Sequence, residues 1–223
     1  TADSAIKKIM PFSKDIELRE HYINFFGALR LGKLLEDLDL IAGQVAYKHT
    51  EGWETGLTIV TAACDRIDLL GDLRIDRDLQ FLACINWVGK SSLEVGIRIS
   101  SKKSGKWGRV ARAYFIMVAR QEGKAKTINS LKPVSSEEKR RFQQGKHRQQ
   151  QRREIAQTSY LLNTPTAEES KVLHELFLKI KKGKIKGKAM SSSTRQLTLL
   201  MHPQSRNVHN NIFGGYLMRE AFE

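Results

Sequence analysis

Between Ala28 and Lys48 the apolar residues fall at Leu31, Leu34, Leu35, Leu38, Ile41, Ala42 and Val45. Steps of three and four gather them on one face, which predicts a helix of about twenty residues with a buried stripe. Ahead of it, residues 1–27 read as a lead-in with a short helical stretch from Ile16 to Phe26. After Leu57 the period drops to two. TIVTAACDRIDLL ends at Gly71-Asp72, DLQFLACINWVG ends at Gly89-Lys90, and SSLEVGIRISS alternates at Leu93, Val95, Ile97 and Ile99. RVARAYFIMVARQ completes the set. Four strands joined by turns predict a mostly antiparallel sheet, and with the long helix they make an α+β domain over residues 28–123.

Residues 124–195 lose both periods. Ser135 followed by Glu138 has the spacing of a capping box, but the helix it opens, KRRFQQGKHRQQQRREIAQ, has almost no apolar stripe. Thr166 with Glu169 opens a second helix that places Val172, Leu173, Leu176 and Phe177 on one side. The region reads as a connector in which the second helix is docked and the first exposed, with KIKKGKIKGK as loop. From Gln196 a strand-like LTLLM leads through a polar loop into Gly214-Gly215 and an apolar helix start. Phe26 to Leu35 has the same order of glycine, then apolar helix. This is a weak internal repeat of about 180 residues, its second copy, 196–223, stopping almost at once.

Composition changes the picture in two ways. The net charge is +14, and about nine of those charges lie between Lys132 and Lys188, so the positive field is regional. Such a field attracts phosphate-bearing partners. The two cysteines, Cys64 and Cys84, sit inside apolar strands without CxxC spacing, which argues for buried thiols and against a disulfide scaffold or zinc ribbon. His174, His202 and His209 lack metal-ligand spacing, so no metal is expected. No apolar run reaches the roughly 18 residues of a membrane span. The chain begins at Thr1, which leads us to expect that any targeting segment has been removed or lies outside it.

Taken alone, Gly214-Gly215 ends a loop and Asn211 caps a helix. The ordered set HPQ…N…NIFGGYLM, RLGKLLEDLDLIAGQVAYKH, TIVTAACDRIDLL, INWVGKSSLEV and AYFIMVAR goes further. Together with EEKRRFQQGK and PTAEESKVLHELFL, it resembles the mitochondrial double-hotdog acyl-coenzyme A thioesterases. The resemblance covers residues from about Lys8 to the end of the chain.

It implies a hotdog fold, a long helix wrapped by an antiparallel sheet, in tandem with a truncated second copy. It implies hydrolysis of acyl-coenzyme A to fatty acid and coenzyme A in the mitochondrial matrix. No cofactor is implied, coenzyme A being part of the substrate, and hotdog pairing implies a homo-oligomer. Asn211 then matches the family's catalytic asparagine, and Gly214 and Gly215 offer backbone amides to the thioester oxygen. The second catalytic group is a carboxylate seven residues past the loop's last glycine, which from Gly32 gives Asp39, with Glu36 and Asp37 close by.

The two copies complement each other. Phe222 stands where the first copy has Asp39, and the first copy has no counterpart to Asn211. One composite site is therefore expected between the copies. Lys90 and Ser91, at a strand turn, are candidates for coenzyme A. The alternative is a non-catalytic, thioesterase-like scaffold subunit of an RNA-rich mitochondrial assembly such as the mitoribosome, touching RNA through residues 132–188.

Overall fold

The computed structural model describes residues 4–223 apart from Tyr160, Ile185, Lys186, Ala189, Val208 and the side chain of Trp53. In chain order the elements begin with β1 (Ile6–Met10), α1 (Ile16–Glu20), α2 (Leu31–Thr50) and α3 (Gly52–Thr55). The strands β2 (Thr58–Leu69), β3 (Leu79–Val88), β4 (Ser92–Lys103), β5 (Lys106–Gln121) and β6 (Lys124–Ala125) follow. Three further helices are α4 (Ser136–Gln157), α5 (Ala167–Lys181) and α6 (Gly214–Phe222).

The apolar stripe of α2 sets the architecture. Leu34, Leu38, Ile41, Ala42, Val45 and Ala46 are all buried, and the sheet supplies the opposing layer. Along β4 the inward residues Leu93, Val95, Ile97 and Ile99 are buried, and along β5 Ala111, Ala113, Phe115, Met117 and Ala119. Alanines flank Phe115 and Met117 in the inward row of β5, which lets the sheet close around the helix. Each large aliphatic side chain so buried contributes about 1.5–3 kcal/mol. The strand order is β1-β3-β4-β5-β2, all neighbours antiparallel, with β6 on β5. This is the α+β hotdog arrangement.

Three expectations change. Residues 1–27 are more than a lead-in: β1 joins the sheet edge on β3, with Ile6 opposite Ala83. Lys7 and Lys8 obscure this strand's alternation, a common feature of edge strands. LTLLM forms no strand, and its residues are exposed. The first connector helix is not exposed along its whole length. In α4, Gly145 is buried and lies against Trp87 and Glu94, whereas every residue of α5 is exposed. Its capping box, Thr166 with Glu169, builds the helix without fixing a partner for it.

The chain divides into two compact units. One runs to Lys146 and includes His202–Glu223; the other is His147–Met201. Within the first, α6 packs against α2. A Cβ on Gly32 would stand 3.0 Å from the Arg219 carbonyl, and one on Gly215 would stand 3.0 Å from the Glu36 carbonyl. Each helix thus offers a glycine to the backbone of the other.

Candidate active site

Asp39 lies on the buried side of α2 at 1% exposure. Its Oδ1 accepts a 2.6 Å hydrogen bond from the Thr61 hydroxyl. A register irregularity in β2 immediately after Thr61 accompanies this orientation, as a bulge re-aims nearby side chains. The other oxygen, Oδ2, is buried without a hydrogen-bond partner among the described residues. It faces α6: a Cβ on Gly214 would stand 3.3 Å from it. The Gly215 amide pulls on the carboxylate from close by, short of hydrogen-bonding geometry.

Burial raises the Asp39 pKa above the ordinary aspartate value; the Thr61 hydroxyl and the Gly215 amide oppose this without cancelling it. A buried carboxylate with one oxygen unpartnered is costly to keep ionised. Beside it, the half-buried Cys64 thiol is pushed up to about 11 by burial, and by Asp39 and Asp65. It remains a thiol and does not compete as a nucleophile.

The start of α6 carries no side-chain cap, since its N-cap is Phe213. The first-turn amides are therefore available to an anion, where the helix dipole favours negative charge. The loop before it is a closed hairpin. Phe213 N donates to Ser205 O at 2.9 Å and Asn207 N to Asn211 O at 2.7 Å. The Asn207 Oδ1 accepts from the backbone of His209 at 3.0 Å and of Asn211 at 3.1 Å.

The structure thus brings Asp39 together with Gly214 and Gly215. Asn211 is exposed, and its Nδ2 donates to the His209 carbonyl at 3.2 Å. Asn207 is half-buried, and its Nδ2 meets no acceptor among the described residues. Lys90 and Ser91 lie in the turn joining β3 to β4. Their carbonyls accept from Ile128 N at 3.0 Å and Ala119 N at 2.8 Å, and neither makes a described hydrogen bond or ion pair to Asp39 or α6. A hollow of about 320 Å³ adjoins this turn, lined by Thr50, Leu57, Lys126, Ile128 and Asn129. Sequence reasoning missed Thr61, whose inward aim depends on an irregularity that no residue pattern announces. It also passed over Asn207, four residues before Asn211, whose Oδ1 closes the same polar loop.

Two helix ends are tied across the seam. Arg219 Nη1 meets Glu36 Oε2 at 2.9 Å, and Arg30 Nη2 meets Glu223 Oε2 at 2.5 Å. Both pairs hold the middle and end of α6 against α2.

No family model matches the chain. Human mitochondrial acyl-coenzyme A thioesterase 9 is 36% identical over 237 residues, covering 99% of this chain and 54% of that protein. The chain spans about half the length of the curated relatives it matches. An apo-hexameric acyl-CoA thioesterase superposes with a TM-score of 0.61 at 25% identity, covering 71% of this chain and 96% of that one. An aspartate-to-alanine mutant of the Staphylococcus aureus acyl-CoA hydrolase gives 0.60 at 25%, covering 70% and 90%. The chain belongs to the acyl-coenzyme A thioesterase family of hotdog proteins, alongside the mitochondrial members it resembles along nearly its whole length.

Proposed function

We propose that the protein hydrolyses acyl-coenzyme A thioesters at a site shared by α2 and the start of α6, in the mitochondrial matrix; its relatives are named as mitochondrial. The observation that carries this reading is the Asp39 carboxylate, buried, with one oxygen unpartnered beneath Gly214 at an uncapped helix start.

In this reading the thioester carbonyl takes the Gly215 amide, which stabilises the oxyanion as the carbonyl is attacked. Asp39 accepts the proton of the attacking water, or attacks itself and is released by water; either way coenzyme A leaves as the thiol. Thr61 fixes the carboxylate's rotamer. Of the loop asparagines, Asn207 has the side-chain nitrogen free to orient the carbonyl or water, and Asn211 closes the loop around it. That an aspartate and a threonine of the related hydrolase have each been replaced by alanine fits the Asp39–Thr61 pair.

Lys90 and Ser91 are assigned to coenzyme A. Their turn follows directly on the Val88, Leu93 and Met117 row that ends in Thr61, and the hollow beside it contains Lys126. Residues 196–223 are read as the opening of a second hotdog, supported by the reciprocal glycines of α2 and α6. The sheet edge β2, with Ile67 and Leu69 exposed, is the edge where hotdogs join into an oligomer.

The test is thiol release from acyl-coenzyme A by the full-length protein. Turnover abolished by Asp39→Asn with the fold intact supports the reading, and unchanged turnover overturns it.

A further inference from the structure

One contact lies outside this chemistry. His209 Nε2 hydrogen-bonds the Tyr47 hydroxyl, and the two rings stack at 5.9 Å between centroids, 20° from parallel. The same hydroxyl accepts the Ile59 amide at 3.0 Å. One oxygen atom thus ties α2, β2 and the loop before α6 together.

The spacing gives this contact its meaning. Tyr47 is eight residues after Asp39, two turns further along α2. Ile59 is two residues before Thr61 on the strand that reaches Asp39. His209 is two residues before Asn211, whose side chain donates to the His209 carbonyl. His209 also donates its own amide to Asn207. Three elements around the proposed site, α2, β2 and the asparagine loop that leads into α6, thus meet at the Tyr47 hydroxyl.

We infer that Tyr47 and His209 form a positioning clamp that sets the asparagine loop and the α6 amides at working distance from Asp39 and Thr61. The inference rests on the proposed site. Neither residue is a reacting group. An error of about 1 Å in such placement costs on the order of a hundredfold in rate, and partial loosening costs less.

The test compares Tyr47→Phe, which removes only the hydroxyl, with His209→Ala, the double variant and His209→Gln, which keeps a hydrogen-bonding group at similar reach. Two readouts are taken on the full-length protein: steady-state thiol release, and hydrogen exchange of the loop and the Gly214 and Gly215 amides. The expected result is a fall in kcat of about tenfold for either single variant, with KM within about twofold. The double variant should be no worse than either single, recovery should appear in His209→Gln, and exchange should be faster in both singles. Additive losses, or unchanged kcat in folded Tyr47→Phe, overturn the clamp. If Asp39→Asn shows the site itself to be misassigned, exchange alone decides: unchanged loop exchange in both singles overturns it, and a matched increase supports it.

Discussion

Glu36 and Arg219 stand at the same offset in two different helices, four residues past Gly32 and Gly215, and meet as an ion pair at 2.9 Å. A pairing of two identical α2 helices would set Glu36 against Glu36. An acid at one position and a base at the other favour the pairing of α2 with α6. Burial works against the Glu36 charge, yet Lys33 and Arg219 together pull its pKa below the ordinary glutamate value.

A double-mutant cycle measures this pair. Glu36→Gln and Arg219→Gln are each expected to destabilise, and the double variant should lose less than their sum. The coupling should be about 1–2 kcal/mol for a partly buried, hydrogen-bonded pair. Urea denaturation of the four proteins reads it. Because the folded-state pKa of Glu36 is depressed, the coupling is fully present above the unfolded glutamate value and is lost as pH falls through the folded one.

What the sequence disclosed follows from how local each signal is. The α2 stripe and the alternation of β4 lie within single elements, so Leu34 to Ala46 and Leu93 to Ile99 could be read directly. The strand β1 was hidden because five residues with two lysines carry too short a pattern. The proposed site divides in the same way. Gly214 and Gly215 were legible because an apolar helix start follows them, and Asp39 because its offset from Gly32 has a family counterpart. Thr61 and His209 were not, since a β irregularity and a contact across 162 residues leave no periodic trace. The connector was misread because α5 has an apolar stripe and α4 has a glycine, and it is the glycine that permits close approach to Trp87.

Asp39→Asn should separate stability from activity. Asp39 has a raised folded-state pKa, so the native protein holds this proton more tightly than the unfolded chain. Stability is therefore lost as pH rises from the ordinary aspartate value through the raised one, and the substitution should remove that loss. The expected outcome is a melting temperature at neutral pH equal to or above the parent's, with turnover down by roughly 10²–10⁴-fold. The parent's kcat/KM should rise with pH along a limb whose midpoint lies above the ordinary aspartate value. Thermal melts and rate profiles across pH check both halves.

Gly215→Ala tests the seam itself. The added methyl would stand 2.7 Å from the Phe213 ring and 3.0 Å from the Glu36 carbonyl. The ring can turn aside; the carbonyl belongs to the α2 backbone and cannot. Overpacking of this kind costs about 1–3 kcal/mol and should shift the α6 amides away from Asp39. Turnover should fall by more than the stability loss explains, measured as kcat at a temperature where the variant is fully folded.

Gly145→Ala distinguishes a docked α4 from a free one, because the two arrangements give opposite signs. In an exposed helix interior, replacing glycine by alanine stabilises by about 0.8–1 kcal/mol. Here the new Cβ would stand 2.7 Å from the Trp87 Cβ and 3.3 Å from Glu94 Oε1. A Cβ is fixed to its backbone and cannot swing away, so α4 must lift from the sheet or β3 must give. The overpacking cost of about 1–3 kcal/mol then exceeds the propensity gain, and the net change is destabilising. A lowered urea midpoint with unchanged helicity by circular dichroism is the expected result, and Trp87 fluorescence should report the separation of α4 from the sheet.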